Sequence, residues 1–189
     1  MKRISGLMAA LCVSAACSGG ADPLQPTRLP AAEGAMSAIS ASGAAGGRQI
    51  MMLDQCEPDS FNAVIGPGTC INRRGGITFD VFIALLQRNG AVPSWRFSPD
   101  SIHVAGAVTL PIVNRGGEAH TFTEVAAFGG GIVPDLNVLA GTPVPAPECL
   151  ALGGGDFIAP GAQTSQTFAP GDADRYQCCI HPWMRAVTR

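Results

Sequence analysis

Tyr176-Gln177-Cys178-Cys179-Ile180-His181-Pro182-Trp183-Met184-Arg185 packs a thiol, an imidazole and a thioether into one tight loop near the end of the chain. The pattern C-x-x-H-x-x-M offers three of the four donors of a site in which two histidine nitrogens and a cysteine sulfur form a trigonal plane with a weak axial methionine. That set suits copper in electron transfer. Zinc fits less well, because structural zinc sites draw on thiolate, imidazole and carboxylate and do not use a thioether.

The second imidazole has to come from elsewhere. The chain has 3 histidines, which leaves His103 and His120. His103 lies inside an alternating stretch between Ile102 and Val104 and reads as a surface or packing residue. His120 lies in Asn114-Arg115-Gly116-Gly117-Glu118-Ala119-His120-Thr121-Phe122, just past a strand and a glycine turn, where a side chain is fixed yet reaches a neighbouring loop. Glu118 beside it reads as a rim residue or a solvated one.

Around these motifs the pattern is that of short strands. Trp95-Arg96-Phe97, Ser101 to Val104, Val108 to Asn114 and His120 to Val125 follow one another with period two, separated by glycine turns; Gln166 to Phe168, Tyr176 to Cys178 and Ala186 to Thr188 complete the set. Many short strands punctuated by Gly and Pro predict a β-sandwich and not an α/β fold. One helix is expected, over residues 78–88. There Phe79, Phe82, Ile83 and Leu86 share a face, Thr78 is placed to cap the start and Asn89-Gly90 marks the stop.

The two motifs, Asn114 to Phe122 and Tyr176 to Met184, resemble those of the small blue-copper proteins, the cupredoxins, and the short ligand loop is similar to that of amicyanin and pseudoazurin. The likeness covers roughly residues 95 to 189. It implies an all-β, cupredoxin-like Greek-key sandwich with one short N-terminal helix. It also implies one type 1 copper ion, cycling between Cu(I) and Cu(II), bound by His120, Cys178, His181 and Met184, with Asn114 and Thr121 behind the ligands. Many members carry Asn after the first histidine, where it ties the two ligand loops together; Thr121 has a shorter reach. The family loop places its thiolate three residues before the second histidine, which selects Cys178. Neighbouring strand residues face opposite ways, so Cys179 turns away from the metal.

Four cysteines remain once Cys178 is assigned to copper, Cys17 to the N-terminal signal described next and Cys12 to the leader itself: Cys56, Cys70, Cys149 and Cys179. An even remainder in an exported protein favours two disulfides over buried free thiols. Three pairings are open; Cys56 with Cys70 closes a short local loop and leaves Cys149 with Cys179.

The export reading comes from the N-terminus. Lys2 and Arg3 precede an uncharged, largely apolar run from Ile4 to Ala16, too short to span a bilayer, as in a secretory signal. It ends Ser14-Ala15-Ala16-Cys17, which resembles the lipobox of bacterial lipoproteins and makes Cys17 the candidate lipidated residue. The expected organisation is a signal peptide over 1–17, a flexible Ala/Gly/Ser/Pro tether over 18–48, an N-terminal extension over 49–92 and the cupredoxin domain over 93–189. The expected location is the periplasmic or cell-surface side of a membrane, reached through the lipid anchor.

The chain carries 12 Lys and Arg residues, scattered, and a net charge of -2, so it lacks the clustered basic surface a nucleic-acid backbone requires. With no second His/Cys cluster to support chemistry on a substrate, catalysis is not expected. The leading expectation is an electron carrier between protein redox partners, docking through Pro182 and Trp183 on a surface-reaching loop; the other reading of Trp183 is that it folds back into the core. The alternative is a copper-binding or copper-delivery module that moves no electrons.

Overall fold

A computed structural model describes residues 48–171 and 173–189. The signal, Cys17 and almost all of the tether lie outside the described residues.

Among the described residues eight strands form two four-stranded sheets. They are β1 (Ile50–Leu53), β2 (Arg96–Ser98), β3 (Ser101–Ile102), β4 (Val108–Asn114), β5 (Thr123–Val125), β6 (Gln163–Phe168), β7 (Arg175–Gln177) and β8 (Arg185–Thr188). One sheet has the order β2-β1-β4-β6 and the other β3-β8-β7-β5. Both are mixed: β1 with β4 and β3 with β8 are parallel, and the remaining pairs are antiparallel. The two faces share one core, in which Ile50, Met52, Phe97, Ile112 and Phe168 from the first sheet meet Ile102, Tyr176 and Ala186 from the second. Phe122 stacks on Tyr176 at 4.6 Å between ring centroids and meets Phe97 edge-on at 5.0 Å, closing the sandwich next to the segments that carry His120 and Cys178. The expected β-sandwich is what forms.

Among the described residues three α-helices accompany the sandwich, where one was expected. The expected one, α2 (Phe79–Asn89), buries Phe82 and Leu86 and ends at Gly90, whose φ of 66° is the left-handed conformation that glycine adopts without strain. Thr78 occupies the cap position without a side-chain cap bond; Ser60 Oγ accepts the Phe79 N–H instead. The two unexpected helices are α1 (Pro58–Val64) and α3 (Pro134–Leu139). Both are too short to show a periodic apolar face. α1 starts on Pro58 behind Glu57, whose carboxylate accepts the N–H groups of Asp59 and Ser60.

The stretch over 49–92 contributes a strand to the first sheet. Its first element, β1, lies between β2 and β4 inside a sheet, and the described residues belong to one compact unit. β1 carries Ile50, Met51, Met52 and Leu53, an unbroken apolar run with no polar alternation to announce a strand. Its helices bring Phe61 and Phe82 against Trp95, with centroids 5.8 and 4.8 Å away, so the segment contributes an aromatic wall to the core.

Cys56 is bridged to Cys70 and Cys149 to Cys179, the pairing in which the first bridge closes a local loop. Cys178 is the one free cysteine among the described residues, and it is buried.

Candidate metal centre

The C-x-x-H-x-x-M loop connects β7 to β8, and its backbone makes it compact. Cys178 N–H donates to the carbonyl of Met184 at 3.0 Å, and Met184 N–H donates to the carbonyl of His181 at 2.9 Å. These bonds fold three of the predicted ligand residues back on one another. The fourth, His120, comes from the connection between β4 and β5, where its N–H and carbonyl pair with Ile158 in an isolated bridge.

His120 Nδ1, His181 Nδ1 and Cys178 Sγ converge. Sγ lies 3.7 Å from the first nitrogen and 3.8 Å from the second, and the two nitrogens are 3.3 Å apart. A point equidistant from the corners of a triangle with sides 3.7, 3.8 and 3.3 Å lies about 2.1 Å from each, within the roughly 2.0 to 2.3 Å of transition-metal bonds to imidazole and thiolate. All three residues are buried. The donor set and its spacing therefore fit a metal ion, and both imidazoles offer the same nitrogen. Met184 is fully buried in the same core cluster as Cys178.

His103 is exposed and lies outside this cluster; its backbone carbonyl accepts a hydrogen bond from Arg48. Asn114 folds the first ligand loop: Nδ2 donates to the carbonyls of Glu118 at 2.7 Å and Ile158 at 2.8 Å, and Oδ1 accepts the Gly116 N–H at 2.9 Å. Thr121 ties the two loops together. Its N–H donates to Cys178 Sγ at 3.5 Å, and its Oγ1 accepts the Cys179 N–H at 2.8 Å. Cys179 faces a second, small cluster with Cys149, Val125 and Ala146, consistent with neighbouring residues facing opposite ways.

Three side-chain placements differ from the sequence reading. Pro182 and Trp183 do not form an exposed patch: Pro182 is buried and Trp183 half-buried, its ring centroid 5.4 Å from His181 and 5.9 Å from Phe82. The cause is the aromatic wall brought by α1 and α2, which covers the loop expected to reach solvent; His181 itself is buried, with Trp95 at 6.5 Å. Glu118 is not solvated either. It is 5% exposed, with Oε2 accepting the Trp95 Nε1–H at 2.7 Å and lying 3.7 Å from His181 Nε2.

The third is Asp54, which the sequence reading missed. Its Oδ2 lies 2.8 Å from His120 Nε2, both side chains fully buried. It stands just beyond β1, with no local motif to mark it.

The electrostatics follow from this packing. Burial alone would raise the Cys178 thiol, but the two imidazoles bring it well below its ordinary value. Burial opposes protonation of His120, yet the hydrogen bond to Asp54 and the adjacent Cys178 push its pKa up to about 9. Burial works against ionised Asp54 too, and is outweighed by His120 and by the N–H groups of Gly117 and Glu118, so its carboxyl is lowered. Glu118 is raised, chiefly by burial. The site thus favours a thiolate, the form in which cysteine binds a metal.

No family model matches the chain, and no curated protein matches it. Among solved structures it is similar to a purple cupredoxin from Nitrosopumilus maritimus, at 13% identity and a TM-score of 0.39, over 75% of this chain and 97% of that one. It is also similar to an amicyanin mutant in its reduced Cu(I) form at pH 4, at 19% identity and a TM-score of 0.33, over 49% of this chain and 70% of that one. A mutant fern plastocyanin matches at 14% identity and a TM-score of 0.33, over 50% of this chain and 86% of that one. At such identities the functional reading rests on the site itself.

Proposed function

We propose that this protein is an exported type 1 copper protein that carries single electrons between protein redox partners, with His120, Cys178, His181 and Met184 as the copper ligands. The observation that carries the reading is the buried triangle of two imidazole nitrogens and one thiolate sulfur, with sides of 3.3 to 3.8 Å. Bound there, copper supplies a one-electron couple.

The chain's own residues do the rest. The Cys178–Met184 and His181–Met184 backbone bonds and the Thr121 tie hold the donors in place whether or not the metal changes charge, so little has to move when an electron arrives. Burial excludes water from all three corners of the triangle. Export and a lipid anchor at Cys17 belong to the same proposal, supported by the Lys2-Arg3 start, the apolar run and the Ala15-Ala16-Cys17 ending.

Optical and EPR spectra of the copper-loaded protein, followed by voltammetry, test the reading. An intense thiolate-to-copper band with a reversible one-electron wave is expected. A coloured protein that gives no reversible wave but passes copper rapidly to an acceptor would instead make it a copper-delivery module. Absence of the band would remove the type 1 assignment.

A further inference from the structure

Asp54 is placed with unusual care for a residue outside both ligand motifs. Besides His120, its carboxylate accepts three backbone N–H groups: Gly117 at 2.9 Å and Cys56 at 3.3 Å on Oδ1, and Glu118 at 3.1 Å on Oδ2. The turn is built around it, since a Cβ at Gly116 would collide with the carboxylate. The approach from the other side is fixed as well. Asp54 directly follows β1, and two residues on, the Cys56–Cys70 bridge pins the chain. The second imidazole is treated differently. The carboxylate nearest His181 Nε2 is Glu118 at 3.7 Å, beyond hydrogen-bonding distance, and its Oε2 is engaged by Trp95.

We propose that Asp54 is a positioning residue for the metal centre: it holds His120 with Nε2 as the hydrogen-bond donor, leaving Nδ1 to face Cys178 and His181, and it sets a fixed negative charge one imidazole ring away from the metal. The inference rests on the copper reading above. Two effects follow. A carboxylate on the far nitrogen fixes the ring orientation and makes the near nitrogen a stronger donor. A buried charge is poorly screened, so it favours the oxidised ion, which carries one more positive charge than the reduced ion, and thereby holds the reduction potential down. The segment over 49–92 then has a role at the site: β1 and the Cys56–Cys70 bridge deliver the anchor of a ligand 66 residues away.

The test compares Asp54→Asn and Asp54→Glu with wild type in the copper-loaded protein, measuring Cu(II) and Cu(I) affinities by chelator competition, the potential by voltammetry and the visible spectrum. Asn keeps an acceptor near Nε2 but removes the charge. It is expected to weaken Cu(II) binding about 10- to 100-fold and Cu(I) binding less, raising the potential by about 59 mV for each tenfold difference between the two losses. Glu keeps the charge and should stay nearer wild type. A wild-type-coloured Asn variant with unchanged potential overturns the inference while leaving the copper reading intact; a wild-type protein without the thiolate-to-copper band overturns the copper reading. Should the variants fail to fold, nitrogen NMR of wild-type protein loaded with diamagnetic zinc still decides. A slowly exchanging proton on His120 Nε2 is expected, and its absence overturns the anchor.

Discussion

Thr121 Oγ1 accepts the backbone N–H of Cys179 at 2.8 Å, while the backbone N–H of the same threonine donates to Cys178 Sγ at 3.5 Å. One residue thus binds both members of the cysteine pair, and Thr123 Oγ1 donates to Thr121 Oγ1 at 3.0 Å to hold the hydroxyl in place. A short side chain suffices here because the two loops approach closely.

Thr121→Val preserves shape and removes the acceptor, leaving the buried Cys179 N–H without a partner. Such a loss costs about 1 to 3 kcal/mol. Urea denaturation should show a lowered midpoint with the visible band retained, since the backbone bond to Sγ survives. An unchanged midpoint would mean the hydroxyl does not hold the loops together.

Cys178→Ser and Cys179→Ser should separate cleanly. The first removes the only free thiol among the described residues and abolishes the visible band. The second breaks a bridge spanning 30 residues, a loss of about 2 to 5 kcal/mol, and leaves the band in place. Bleaching by Cys179→Ser alone, in folded protein, would overturn the choice of ligand.

Trp95→Phe keeps most of the aromatic packing against Phe61 and Phe82 but strips Glu118 of the Nε1–H donor at 2.7 Å. The buried carboxyl then lacks that partner, and the fold should lose about 1 to 3 kcal/mol, with a still larger loss for Trp95→Ala. If Trp95→Phe and Glu118→Leu prove additive in a double-mutant cycle, the bond contributes nothing of its own.

The metal-free protein should show a specific pH profile. His120 is held up to about 9, above its ordinary 6.5, so its contribution to stability is full below about 6.5 and is lost as pH rises through about 9. Cys178 is held down from 9.0, so its contribution is present above that value and is lost as pH falls through its lowered one. Within the range between about 6.5 and 9 the two oppose each other, since folding takes up a proton at His120 and releases one at Cys178, so the wild-type profile is flatter than either group alone would give. Cys178→Ser removes one side of that balance, so chemical denaturation across this range should show the variant losing stability relative to wild type as pH rises. Parallel profiles would show that the two groups do not titrate as a pair.

The ligand loop was legible because its information is local. A thiol, an imidazole and a thioether three residues apart are brought together by one turn of backbone, whatever the rest of the chain does, and period two from Trp95 onward marked most of the strands for the same reason. The disulfide pairing was legible only in part: the short Cys56–Cys70 loop pointed to one of three solutions, and the fold realises it. β1 was not legible, since Ile50 and Met52 are buried while Met51 and Leu53 are half-buried, yet all four are apolar and give no alternation. Nor were α1 and α3, which are too short for a helical period to emerge. The sequence by itself determined the donor types, their spacing and the sandwich class. Tertiary structure alone decided that Trp183 packs under α2 instead of facing solvent, and that Asp54 meets His120. Those contacts depend on sheet register and on how apolar faces bury one another, which bring together side chains whose separation along the chain carries no signal of their meeting.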